Sequence, residues 1–257
     1  MKAHVRSRLA GGRQRSMNEK EKSTRGFIMR WEFPRTKLLL KRYKREVAKV
    51  KQNMSPNSRI LDVGCGHGFT DILLSKEGFD VIAIDIYEHE VWKEIPCFHV
   101  KASGTDMPFR NSTFDAVVAC GTLEHIDEKD AFIKESHRVL KEGGILFLYR
   151  IPNSNSFNEM VTRLLKYIVP TVEGECYGHE CLLRKDEVKK LCTRWKFKII
   201  ELKTQSLISS QPGLFSVSMH RLWESVPRLL DCLDRFLLKT PLSLFCQDFE
   251  LVAKTEK

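Results

Sequence analysis

Residues 60–68 read ILDVGCGHG, a short apolar run closed by glycines at 64, 66 and 68. A glycine turn after a strand lets a ligand come close to the backbone, because no Cβ stands in the way. A loop built for a dinucleotide has the form G-x-G-x-x-G and sets pyrophosphate on a helix N-terminus. Here the spacing of Gly64, Gly66 and Gly68 is one residue tighter, and Asp62 stands two residues before the first of them. A carboxylate there repels phosphate and attracts a cation, such as an amino group or a sulfonium. Asp85 ends the run VIAID about 20 residues further on, where a doubly wound fold places a carboxylate on a ribose diol. The pattern asks for a ligand with a ribose, no phosphate and a cationic tail.

Two histidines are placed to act as bases. His125 lies in LEHI, after the fourth apolar run, and His179 lies in ECYGHEC, after the fifth. Each also reads as an ordinary hydrogen-bonded loop histidine. The elements that must position these groups follow from periodicity. Residues 34–53 predict a helix, with Leu38, Leu39, Tyr43, Val47 and Val50 on one face and Lys and Arg on the other. From there strands at 59–63, 80–85, 97–102, 114–120 and 145–151 alternate with helices at 69–78 and 128–144. That alternation predicts an α/β, doubly wound, mostly parallel seven-stranded sheet. A helix at 185–195 and strand-like runs at 196–204 and 247–255 predict an antiparallel edge pair at the C-terminus.

S-adenosylmethionine has the ribose, the sulfonium and the amino group that the glycine loop and Asp85 ask for. On ILDVGCGHG (60–68), VIAIDI (81–86), ASGTDMPFRNSTFDAVVACGTLEHI (102–126) and HRVLKEGGILFLYRIPN (137–153), the chain resembles class I S-adenosylmethionine-dependent methyltransferases. Within them it is similar to the branch of the ubiquinone and menaquinone biosynthesis enzymes. The resemblance covers roughly 36–204 and the last strand. It implies that Gly64, Gly66 and Gly68 turn the backbone under the methionine part, while Asp62 orders that loop and the amino group. It implies that Asp85 takes the ribose hydroxyls, that Ile86 lies against the adenine, and that Cys120 and Gly121 line the methionine end. The family usually has an acidic residue near Ser103, on the adenine amino group. Here Ser103 and Gly104 stand there, so that contact falls to the Gly104 backbone or to a side chain of Thr105 or Asp106. Some relatives carry E-x-x-E-H after the fourth strand and bind a divalent metal with a distant histidine. This chain keeps Glu124, His125 and His179 but has Gly121 in place of the first Glu, and no metal is expected. Cys176, His179, Cys181 and Cys192 are too irregularly spaced to predict zinc.

The 257 residues are 42% hydrophobic and 30% charged, enough for one large α/β domain. The net charge of +10 is uneven, because residues 1–52 hold 17 Lys and Arg against 4 Asp and Glu. A uniformly basic nucleic-acid binder is therefore not indicated, and the basicity belongs to an N-terminal arm. The reading is a basic, disordered arm at 1–33, a cofactor-binding core at 34–205, a helical insertion at 206–245 and a final core strand at 246–257. The insertion, rich in Leu, Phe and Trp, packs on the body or serves as a lid or membrane-facing surface. No apolar run approaches the ~20 residues of a membrane helix, and the N-terminus lacks a secretory h-region. The expectation is a cytoplasmic enzyme with reduced thiols, in peripheral contact with an anionic membrane as an alternative and with a mitochondrial transit segment as a lesser one. The expected acceptor is a small hydrophobic or lipid-linked molecule, methylated on O or C. Two rival readings are an RNA methyltransferase using the basic arm, and a catalytically silent methyltransferase fold that serves as a binding scaffold.

Overall fold

A computed structural model describes residues 37–156, 160, 182–205 and 227–256. The arm at 1–33, His179 with its neighbours Cys176, Tyr177 and Cys181, and much of the 206–245 insertion lie outside the described residues. The chain divides into two compact units, Met1–Tyr43 and Lys44–Lys257. The sheet and the site belong to the second.

The elements in chain order are helix α1 (Lys37–Asn53), β1 (Arg59–Val63), α2 (Phe69–Lys76), β2 (Asp80–Asp85), β3 (Phe98–Lys101) and β4 (Phe114–Cys120). They continue with α3 (Lys129–Val139), β5 (Leu140–Pro152), α4 (Lys185–Arg194), β6 (Phe197–Gln205), α5 (Pro227–Leu237) and β7 (Asp248–Thr255). The strands form a seven-stranded sheet in the order β3-β2-β1-β4-β5-β7-β6. The strands from β1 to β5 pair in parallel, and β7 runs antiparallel between β5 and β6. The order reverses between β1 and β4, and it is at the carboxyl ends of such strands that doubly wound sheets bind ligands.

Central strands covered on both faces should be continuously apolar, and β4, FDAVVAC, is buried at five of its seven positions. Strand β5 shows the two-residue period that divides the core. Leu146 and Leu148 pack with Phe132, Ile133 and Val188 on one face, while Phe147 and Tyr149 pack with Val47, Val50 and Leu74 on the other. Each such fully buried side chain contributes about 1.5–3 kcal/mol of transfer free energy.

Helix α3 is shorter than the 128–144 expected from periodicity. It stops at Val139, and Leu140 is already extended and paired with Phe114 in the sheet. Leu140 is fully buried, so tertiary packing ends the helix before the two glycines are reached. Gly143 and Gly144 instead lie in a bulge, since the next ladder pair is Ala116 with Ile145.

A second irregularity lies where β5 meets β7, between Leu148 and Ile151. Arg150 there has a φ of 58°. Its guanidinium forks onto the buried Glu46 carboxylate of α1, with Nε donating to Oε1 at 2.9 Å and Nη2 to Oε2 at 2.7 Å. The two-pronged geometry satisfies a charge that would otherwise be costly so far from water. The bulge aims the Arg150 side chain at α1.

Candidate active site

Three glycines shape the loop that leaves β1, and two of them have no alternative. Gly64 has a φ of 72°, and a Cβ there would overlap the Thr122 side chain at the end of β4. Gly68 has a φ of 75°, and a Cβ there would overlap Ile95 Cδ1. Thr122 occupies that space because its hydroxyl donates to the Val63 carbonyl at 3.0 Å, joining the ends of β1 and β4.

The loop is held by β2 as well. The Ile84 carbonyl accepts from the backbone N–H of Gly64 at 2.8 Å and of Cys65 at 3.1 Å. Asp85 Oδ2 accepts from the Gly66 N–H at 2.8 Å, and Oδ1 accepts from the Tyr87 N–H at 3.0 Å. A carboxylate offers about four lone-pair sites, so Asp85 braces the loop and keeps capacity for a further donor. Trp92 Nε1 donates to the Gly66 carbonyl at 2.8 Å. From the loop outward, His67, His89, Trp92 and His99 form a run of ring contacts with centroids 4.6, 5.7 and 4.9 Å apart.

Above the carboxyl ends of β1, β2 and β4 lies a cavity of about 490 Å³. At one end stand Asp85, Ile86 and Tyr87, and at the other Gly121, Thr122 and His125. Ile86 and Tyr87 are exposed. Ser103, Gly104 and Thr105 close one side, with the Ser103 and Thr105 hydroxyls bonded to each other at 2.8 Å. Among the described residues that line it are the carboxylates of Asp85, Asp127 and Glu128 and no Lys or Arg. Such a wall favours a cationic ligand over a phosphate.

Residues 61–148 match the family model described as a methyltransferase domain. These residues form a class I methyltransferase domain. The chain is 29% identical over 161 residues to the sterol 4-C-methyltransferase strm-1 of Caenorhabditis elegans, covering 59% of this chain and 48% of that protein. It is 24% identical over 176 residues to a ubiquinone biosynthesis O-methyltransferase of Brucella anthropi, covering 62% of this chain and 70% of that one. The chain thus spans about half the length of the first of these relatives. Among solved structures, a SAM-dependent methyltransferase from Archaeoglobus fulgidus has a TM-score of 0.57 at 20% identity, over 89% of this chain and 99% of that one. A didemethyltoxoflavin N-methyltransferase from Burkholderia thailandensis, with bound S-adenosylhomocysteine, has a TM-score of 0.54 at 12% identity, over 84% and 78%.

In this methyltransferase domain the cavity brings together Gly64, Asp85, Ile86, Ser103, Gly104, Thr105 and His125. Gly66, Gly68, Cys120, Glu124 and Asp106 are not among its lining residues. Glu124 is buried beside His125 in the short turn Leu123–His125, and its Oε2 has no hydrogen-bond partner. Burial pushes its carboxyl up to about 7, although the Arg150 charge pulls the other way.

Asp62 lies under the loop rather than in the cavity wall, 1% exposed. Its neighbour is Asp71 on α2, fully buried, and burial pushes both carboxyls up. Asp71 Oδ2 in turn lies 3.0 Å from His99 Nε2. Sequence reading missed Asp71, His99 and Trp92. The available signal was a charged or polar residue inside an apolar element, Asp71 in FTDILL and His99 in FHVK.

Proposed function

We propose that the protein is an S-adenosylmethionine-dependent methyltransferase whose acceptor is a small hydrophobic or lipid-linked molecule, methylated on oxygen or carbon. The observation that carries this reading is the acid-walled, phosphate-averse cavity, which runs from the Asp85 carboxylate past Gly64 to His125. The donor set fits the cofactor. Asp85 is the acceptor for ribose hydroxyls, Ile86 and Tyr87 are the apolar surface for the adenine, and Ser103 to Thr105 border it. Bound there, S-adenosylmethionine supplies an activated methyl group on a sulfonium.

What remains for the chain is alignment, exclusion of water and, for a hydroxyl or carbon acceptor, removal of a proton. Holding both reactants in line is worth up to ~7–11 kcal/mol. His125, at the cavity end away from Asp85, is the base we assign to the acceptor proton, with Glu124 in the same turn and His179 as a further candidate. Glu124, held near neutrality, positions that turn and exchanges a proton without a large penalty.

The acceptor class rests on surface character. Leu233 and Phe236 of α5, and Leu242 and Leu244 of the turn that follows, are exposed. Such side chains suit an amphiphilic substrate met at a lipid surface. The relatives include a sterol and a ubiquinone-pathway enzyme by name. Calorimetric titration of the full chain with S-adenosylmethionine tests the cofactor, with saturable binding expected and at least a tenfold loss in Asp85→Ala. No heat of binding would overturn the reading. Flotation with anionic vesicles tests the surface, and a chain left at the bottom of the gradient would exclude it.

A further inference from the structure

Three groups that can hold a metal ion converge beneath the glycine loop. Cys65 Sγ, a carboxylate oxygen of Asp71 and a ring nitrogen of His99 all lie within 4.8 Å of one another. They come from the loop, from the first turn of α2 and from β3, and none of them lines the cavity.

The protonation of His99 can be worked out from its partners. Nδ1 lies 3.1 Å from the Cys97 backbone carbonyl, which can only accept, so Nδ1 carries the hydrogen. In the neutral ring Nε2 then presents a lone pair. That lone pair points at Asp71 Oδ2, 3.0 Å away, which is also an acceptor. Two acceptors at that separation need a positive species between them, either a proton or a metal ion. The surroundings raise the demand. Asp71 is fully buried and its Oδ1 has no donor, and Asp62 Oδ2, equally buried, has none. Among the described residues no Lys or Arg side chain is hydrogen-bonded or ion-paired to either carboxylate.

We propose that Cys65, Asp71 and His99 bind a divalent transition ion of the zinc type, and that this ion ties the glycine loop to α2 and β3. Sulfur, imidazole nitrogen and carboxylate oxygen together are the ligand set of zinc. The His99 Nδ1–H bonded to a backbone carbonyl is the outer contact that orients a metal-bound histidine. The Trp92 indole stacks on His99 at 4.9 Å and 15°, covering the ring while its Nε1–H holds the Gly66 carbonyl. Asp62 stands beside Asp71 as a further carboxylate for the same ion. Binding exchanges the Cys65 thiol proton for the metal and releases that proton to water. The role is structural, because none of the three ligands lines the cavity. The reading departs from the expectation of no metal drawn from the sequence, which concerned Glu124, His125 and His179. It does not depend on the methyltransferase activity.

The test is elemental analysis of the full chain, purified without chelator or affinity histidines, as isolated and after reconstitution with Zn²⁺. About one zinc per chain is expected, falling at least tenfold in Cys65→Ser and unchanged in Cys232→Ser, whose thiol is exposed and is not part of the cluster. Reconstitution with Co²⁺ gives a readout independent of fold stability. A thiolate-to-cobalt charge-transfer band is expected with the native chain and absent with Cys65→Ser. A folded native chain, verified by circular dichroism, that holds neither metal would overturn the proposal and leave a shared proton between His99 and Asp71. A cobalt band that survives in Cys65→Ser would overturn it as well.

Discussion

Replacing Glu124 by Gln should make the protein more resistant to urea, by an amount that grows as the pH rises from about 4.5 to about 7. Glu124 is 5% exposed, and its Oε2 has no partner. The carboxyl titrates near 7 in the fold against an ordinary 4.5, chiefly because burial disfavours its charged form. A carboxyl with a raised folded value gives its full stabilisation below the unfolded value and loses it as the pH climbs through the folded one. Glu124 therefore costs the fold nothing well below pH 4.5 and progressively more from there up to about pH 7, where the cost levels off. The gap is worth about 3 kcal/mol in total, of which roughly 2 kcal/mol falls between pH 5.5 and pH 8.5. Gln keeps the size and stays neutral throughout. Urea unfolding of both proteins at those two pH values measures the difference in stability. That difference should widen by roughly 2 kcal/mol at the higher pH. A wild-type-to-variant gap that stays constant with pH would refute the reasoning, because it would mean that Glu124 does not change its ionisation in that range.

Other perturbations follow from single contacts. Arg150→Met leaves the Glu46 carboxylate buried and unpaired, and should cost about 3–5 kcal/mol by urea unfolding. The double replacement Glu46→Leu with Arg150→Met should recover most of that loss, and a double variant as unstable as the single one would count against the pair as its cause. Gly64→Ala sets a methyl group against the Thr122 side chain at a φ of 72°, and should lower stability by about 2 kcal/mol. An unmoved denaturation midpoint there would mean that the loop is not held against β4 as described.

Much of the sheet was legible because its information is local. The alternation of apolar runs with amphipathic helices marks the strands, and Gly64 and Asp85, singled out by their spacing, both line the cavity. Strand β7 was expected as part of an antiparallel pair and is antiparallel to both its neighbours. The errors arise where a distant partner decides. The 3.6-residue period runs on past Val139, yet Leu140 joins the sheet because Phe114 lies beside it. A neighbour can be hidden in the same way, since Asp62, read as ordering the loop and the amino group, also lies beside Asp71, reached only once α2 packs over β1. No spacing rule joins Cys65, Asp71 and His99, because the three approach one another only when the loop, α2 and β3 are assembled.

The placement of β7 bears on how the chain comes into being. Residues 248–255 come later in the chain than either neighbouring strand, yet they lie between β5 and β6, with Leu251, Val252 and Ala253 buried. Until they leave the ribosome, β5 has an open edge and β6 has no partner. The nascent chain must therefore carry an unfinished sheet edge from the completion of β5 until β7 emerges. That interval is one in which a chaperone has most to protect, and in which crowded neighbours are most dangerous to the chain.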